Sequence, residues 1–240
     1  VLLGSLGGGV RYAFTTRSAG FSSPPFDTLN LSFDVGDLPA SVETNRRAVL
    51  ERLRVPRAVW LTAQHGGSVA LVGAADDPES DRQFAVDGLV TTIADVALAA
   101  LAADCALVTL ADPRAGVLGV LHCGRAGLTA GIVSALVDEM RAQGATAVRA
   151  AIGPTICGRC YEVGDDVAAA VTSVVPIARS LAYNGRRALD IKAGVIAQLA
   201  DAGVHVVREV GGCTLEDDNA FSYRRDHRTG RQAALIWQVP

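Results

Sequence analysis

The sequence predicts an α+β fold, and three observations predict it. Apolar runs rich in strand formers come in adjacent pairs joined by short polar turns, as at 106–111 and 117–121. Segments with helical spacing are also present, but they do not alternate regularly with the strands, which argues against a parallel βαβ architecture. The composition is that of a folded protein. Half of the 240 residues are apolar and 20% are charged, with no repeat and no low-complexity linker. A chain of this size should bury roughly 70–75% of its unfolded surface. The net charge is -3 without a basic block, so nucleic-acid backbone binding is not expected.

The elements follow in order. Residues 11–38 mix apolar residues with Gly, Ser, Pro and Asn and read as short strands and loops. Pro39 leads into a helix with Ser41 as N-cap; Val42, Val49, Leu50 and Leu53 share its apolar face, while Arg46, Arg47 and Glu51 face water. Strands are expected at 58–63 and 68–72, around the connection Gln64-His65-Gly66-Gly67. A loop holding Pro78 covers 73–83, and a strand with Asp87-Gly88 inside it covers 84–92. Periodicity does not decide the Ala-rich stretch 95–102.

Residues 106–111 and 117–121 form an antiparallel hairpin folded around 113–114, because Asp112-Pro113-Arg114-Ala115-Gly116 is strong turn chemistry. That register sets Cys105 opposite His122 or Cys123, about 5 Å away between Cβ atoms. A helix carries the apolar stripe Leu128, Ile132, Val133, Leu136, Val137 and Met140, and Gly144 stops it. Further on come a strand at 147–152, helices near 165–175 and at 189–201, and a strand at 204–210. A basic loop at 221–231 and a closing strand at 232–239 complete the chain. The longest apolar run, 93–110, contains Asp95 and Asp104, which argues against a membrane span. With no leader in evidence, a cytoplasmic protein without a membrane partner is expected.

Two readings compete for the chemistry. His65, Cys105 and His122 are the donor types of a catalytic zinc site, which uses three protein ligands and keeps a position open. Cys105 beside His122 is equally a nucleophile–base pair, with Asp104 able to orient the imidazole or carry a proton. The turn into the helix at 128 holds Arg125 and free N–H groups, a candidate anion site. Tyr223 with Arg224 and Arg225 could stack on a ring and clamp an anion. The pair Cys157 and Cys160 needs partners to bind a metal, and Cys213 or Cys123 would supply them only if folding brought them close.

Ten segments in order then carry a resemblance. They are FTTRSAGFS at 14–22, LNLSFDVGD at 29–37, ETNRR at 43–47, WLTAQHG at 60–66 and DGLVTT at 87–92. ADC at 103–105, HCGRAG at 122–127, GPTICGRCYEVG at 153–164, CT at 213–214 and FSYRRD at 221–226 follow. Together they resemble the laccase-domain (YfiH/YlmD-type) family, also called multicopper polyphenol oxidase-like or peptidoglycan editing factor proteins, over 14–237. The resemblance implies sheets layered between helices, in an α/β/β/α-like single domain. It implies a metal held by His65, Cys105 and His122, zinc with copper as an alternative. It implies a purine nucleoside enzyme that phosphorolyses adenosine, inosine, guanosine or methylthioadenosine and deaminates adenosine, with Asp104 a proton carrier. Substrate positions near Arg17, Asn30, Arg125, Tyr223 and Arg224 carry over with it.

One segment departs. The family usually reads HAGWRG where this chain has His122-Cys123-Gly124-Arg125-Ala126-Gly127, so the guanidinium moves by one residue. The laccase name is tested by counting. A trinuclear copper cluster draws on His-x-His pairs, and this chain has four histidines and none in that spacing. Two other roles fit the same residues: an amide hydrolase acting on cell-wall precursors through Cys105 and His122 or the metal, and a non-catalytic metal-stabilised binding protein. Monomer and homodimer are equally compatible with the sequence.

Overall fold

The computed structural model describes residues 1–73, 84–204 and 206–239. The loop expected around Pro78 falls in 74–83, outside the described residues. Among the described residues the strands form two large sheets and one small one. Strands β1 (Leu2–Gly7), β2 (Val10–Phe14), β3 (Ala58–Trp60), β6 (Ala97–Ala102) and β13 (Gln232–Gln238) make a five-stranded sheet in the order β1-β2-β13-β6-β3. Strands β4 (Val69–Val72), β5 (Gly88–Thr91), β7 (Ala106–Asp112), β8 (Val117–Cys123), β9 (Arg149–Ile152) and β12 (Val206–Glu209) make a six-stranded sheet in the order β12-β9-β7-β8-β5-β4. Both mix parallel and antiparallel pairs, as an α+β chain should. The small hairpin pairs β10 (Arg179–Leu181) with β11 (Arg187–Leu189).

The two-residue side-chain period of a strand builds the layers. On β13, Ala233, Leu235 and Trp237 pack toward helix α1 (Pro39–Leu53), while Ala234 and Ile236 face the other sheet. On β7, Leu107 and Ala111 enter the space between the sheets. Val108 and Leu110 pack instead on α3 (Ile132–Ala142) and α5 (Ile191–Asp201). Three apolar cores result, and the order is helix, sheet, sheet, helices. The Ala-rich stretch that periodicity leaves open becomes β6, buried on both faces. That position suits small side chains between closely packed layers.

Several boundaries differ from expectation. Helix α1 starts at Pro39, with Leu38 as N-cap and Ser41 inside the first turn. Proline's fixed φ and missing N–H suit the first helical position. Arg46 is only part-exposed; its guanidinium lies 4.2 Å from the Trp60 ring centroid and its Nε donates to the Leu31 carbonyl. The expected single helix after His122 is two: α2 (Arg125–Ala130) and α3, broken at Gly131 with φ 78°. Helix α4 (Asp165–Val174) lies where the sequence puts it, and the basic loop folds its centre into a short helix, α6 (Tyr223–Asp226). No helix among the described residues is long and apolar enough to cross a membrane.

The β7–β8 hairpin carries the site, and Asp112 anchors its turn. Its Oδ1 accepts from the Arg114 and Ala115 backbone N–H groups, and its Oδ2 from Thr146 and Ala147. Burial raises its pKa, but these four donors outweigh it and hold the carboxyl at about 2. A folded pKa below the unfolded value of 3.8 adds stability above that value, and the stability is lost as pH falls from about 4 toward 2. Asp112→Asn should therefore cost about 2 kcal/mol at neutral pH and flatten the acid limb of the stability profile, read by urea melts across pH.

A candidate metal centre between two chambers

The hairpin register is Ala106 to Cys123 and Leu107 to His122. Cys105 therefore stands one step past β7, opposite Gly124 and diagonal to His122, rather than opposite His122 or Cys123 as expected. Parity then selects the donors. Cys105 and His122 share the face between the sheets, whereas Cys123 points into the helix-side core, where burial raises its thiol pKa well above the ordinary value. A Cβ on Gly124 would lie 3.0 Å from the Cys105 sulfur, so glycine leaves the room that Cys105 fills.

His65 arrives from the connection before β4 with φ 58°. One ligand atom each from His65, Cys105 and His122 lies within 4.8 Å of the others, and the two imidazoles meet edge to face at 4.8 Å. The sequence grouped these three, and the fold brings them together. It also supplies a residue that sequence reasoning missed. Asp87 is fully buried at the start of β5. Its Oδ1 lies 3.1 Å from His122 Nδ1 and accepts from the Gln64 and His65 backbone N–H groups; its Oδ2 accepts from Gly66 N–H at 2.7 Å. One carboxylate thus shapes the turn that presents His65 and fixes the ring of His122, leaving Nε2 for the cluster. A charged residue inside an otherwise apolar strand run was the available signal.

The electrostatics follow from these contacts. Burial alone would raise the Cys105 thiol, but the imidazoles of His122 and His65 outweigh it and bring it to about 6. Burial lowers His122, and Cys105 with Asp87 more than offsets this, taking it to about 9. At neutral pH the metal-free pair is thiolate and imidazolium. Two imidazoles and a thiolate, oriented by a buried carboxylate, suit a borderline-soft divalent cation.

Asp104 does not orient His122. With φ 93°, it turns its carboxylate away, where Thr214 Oγ1 donates at 2.6 Å and Arg224 N–H at 2.7 Å. Two chambers flank Cys105. One, about 390 Å³, is lined by the three donors and by Ser32, Tyr223 and Arg231. The other, about 430 Å³, is lined by Asp104, Arg125, Tyr161, Tyr223, Arg224 and His227. Tyr223 and Cys105 border both.

Three expected substrate residues, Arg125, Tyr223 and Arg224, thus line the cleft. Two do not. Arg17 is engaged by both carboxylate oxygens of Asp27 at 3.0 Å and by Asp226. Asn30 is fully buried and binds the Ser32 loop, Asp37 and the backbone N–H of Arg231. It shapes the first chamber from behind. Arg225, expected to clamp an anion with Arg224, donates to the carbonyls of Thr214, Leu215, Asp217 and Ala220 instead. Arg231 and His227 are lining residues that the sequence did not mark.

Two mixed sheets between helices, with an open three-donor cluster where a hairpin mouth meets a glycine-rich turn, define the class of protein. The chain belongs to the family described as multi-copper polyphenol oxidoreductase laccase, whose model matches residues 11–239. It is similar to YlmD from Geobacillus stearothermophilus, with a TM-score of 0.89 and 32% identity over 97% of this chain and 93% of that one. It is also similar to YfiH from Bacillus licheniformis, with a TM-score of 0.87 and 30% identity over 96% and 93%. Among named relatives, a purine nucleoside phosphorylase of Streptomyces coelicolor is 45% identical over 95% of this chain and 96% of its own length. One of Mycobacterium tuberculosis is 40% identical over 95% and 92%.

Proposed function

We propose that this chain is a metal-dependent purine nucleoside phosphorylase that also deaminates adenosine, with zinc at His65, Cys105 and His122. The observation that carries the reading is the pair of chambers meeting at Cys105 and Tyr223. The relatives' names supply the substrate class. In this reading the purine occupies the chamber that holds the three donors and stacks on Tyr223. Ribose spans the junction. Phosphate sits between Arg125 and Arg224, in the chamber that Asp104 also lines, aimed at C1′ of the ribose, so that the C1′–O bond forms as the glycosidic C1′–N9 bond breaks. Zinc held by His65, Cys105 and His122 would supply Lewis acidity for the water that deaminates adenosine. The chain's own groups position and neutralise: guanidinium pairs bind tetrahedral anions in a fixed geometry, and Asp87 keeps His122 in one tautomer.

Purified, metal-loaded protein incubated with adenosine should release adenine and ribose 1-phosphate only when phosphate is present, and inosine without it, read by chromatography. Neither product from a folded, metal-loaded sample overturns the reading. Arg125→Ala should raise the KM for phosphate roughly 10-fold or more, the loss of about one charge-assisted contact of 1.5–3 kcal/mol, and leave the deamination rate within about twofold. The guanidinium displaced by one residue in HCGRAG is thereby tested directly.

A second reading has its own observation. The order Cys105, His122, Asp87 is a thiolate, an imidazolium and an orienting carboxylate, the constellation of a cysteine hydrolase. An amide hydrolase working this way keeps its activity after chelation, whereas the nucleoside enzyme loses it.

A further inference from the structure

We propose that Cys157, Cys160, Cys213 and Glu216 form a second, structural zinc site, separate from the donor cluster in the cleft. One ligand atom from each of the four lies within 4.8 Å of all the others. They come from two turns of the same design. In Cys157-x-x-Cys160 the carbonyl of Cys157 accepts from the N–H groups of Cys160 and Tyr161. In Cys213-x-x-Glu216 the carbonyl of Cys213 accepts from those of Glu216 and Asp217. Each turn points two donors inward at the two-residue spacing that tetrahedral zinc sites use. The turns already touch: the Cys157 N–H donates to the Cys213 sulfur at 3.2 Å, and the Cys160 thiol donates to Glu216 Oε1 at 3.2 Å. The Tyr183 hydroxyl, from the loop joining β10 to β11, donates to the same Glu216 oxygen at 3.1 Å and orients it.

The donor set decides the class of ligand. Three thiolates and one carboxylate suit zinc over magnesium or calcium. Four protein donors complete a tetrahedron and leave no position for substrate, so the ion is structural. A disulfide would use two sulfurs and give no role to the carboxylate that Tyr183 holds in place. All five cysteines are free thiols in this structure.

The location gives the ion its function. Its two turns carry Ile156 and Tyr161, which line the second chamber, and Thr214, which holds Asp104. The backbone ties between them are Thr155 N–H to Gly212 carbonyl and Thr214 N–H to Thr155 carbonyl, both at 3.3 Å. An ion at the cluster clasps these weakly tied segments and so fixes one wall of the cleft.

The test uses the Cys105→Ala chain, which removes the thiolate of the other cluster. The reduced, metal-free protein is titrated with cobalt(II). One equivalent should bind with tetrahedral d–d bands and strong thiolate-to-cobalt charge transfer, and one equivalent of zinc should displace it. Adding Cys157→Ser and Cys160→Ser should abolish the charge-transfer band. Uptake without thiolate charge transfer, or no uptake, overturns the proposal, as does a disulfide among these cysteines in freshly purified protein. Zinc content gives an independent measure in the otherwise unaltered chain: Cys157→Ser with Cys160→Ser should lose one equivalent relative to the parent, and an unchanged count overturns the site.

Discussion

Cys105→Ala should lose the cleft's metal and all turnover together while the chain stays folded. The sulfur is one of three donors, and two imidazoles alone leave a divalent cation too few protein ligands to hold a catalytic position. Folding should survive because Cys105 stands outside the β7–β8 ladder, part-buried at its mouth. Its replacement deletes one sulfur at the edge of a chamber, where solvent already reaches, and leaves no closed cavity in a core. The measurement is metal content beside a thermal melt and the adenosine assay. The expected pattern is one equivalent less metal, product formation at background, and a melting temperature within a few degrees of the metal-free parent. Retained metal in a folded Cys105→Ala chain would sink the ligand assignment. Retained turnover with lost metal would keep the ligand assignment and sink both catalytic roles, the metal's and the thiolate's.

The hairpin that carries this residue was legible because its signals are local. Two apolar runs and an Asp-Pro-Arg-Ala-Gly turn dictate antiparallel pairing, whatever the rest of the chain does. The exact register was not. A four-residue turn at 113–116, pinned by Asp112, sets Cys105 opposite Gly124, one step past Cys123 and two past His122, so Cys105 and His122 stay on one face as a diagonal pair. The diagonal still serves, since side chains on one face two positions apart remain within reach. The break at Gly131 was hidden for a related reason: the apolar stripe from Leu128 to Met140 continues across it, so periodicity reads one helix where a left-handed glycine makes two. The ten family segments carried the site further than spacing could, since nothing local brings His65 to Cys105. What stayed hidden were residues whose meaning is a long-range contact. Asp87 is only a charge inside a strand run until β5 pairs with β8 and brings it to His122. Cys213 is one of two candidate partners for Cys157 and Cys160, and only its turn's meeting with that of Cys157 chooses it. Arg17 and Asn30 came from the resemblance, and their side chains are engaged by Asp27, Asp226, Asp37 and backbone.

Asp87→Asn is expected to have the second largest effect, and to act without touching substrate. The carboxylate takes three backbone N–H groups and the His122 ring at zero exposure. Burial raises its pKa, but His122 and the N–H groups of Gly66 and His65 prevail and hold it below the usual range. An asparagine keeps the shape and one acceptor, but its NH2 must face either a backbone N–H or the imidazole. One buried donor is then left opposed, at a cost of about 1–3 kcal/mol. Metal affinity should fall roughly 10- to 100-fold, as when the carboxylate behind a ligating histidine is removed. A purely structural role would not move the thiol, and this one should. In the metal-free chain, alkylation of Cys105 by iodoacetamide should show a midpoint near pH 6, because imidazolium at His122 stabilises the thiolate. Removing the negative charge of Asp87 weakens that imidazolium, so less thiolate forms at a given pH and the midpoint rises. An unchanged alkylation profile in a folded Asp87→Asn chain would mean that the ring of His122 is held by something other than this carboxylate.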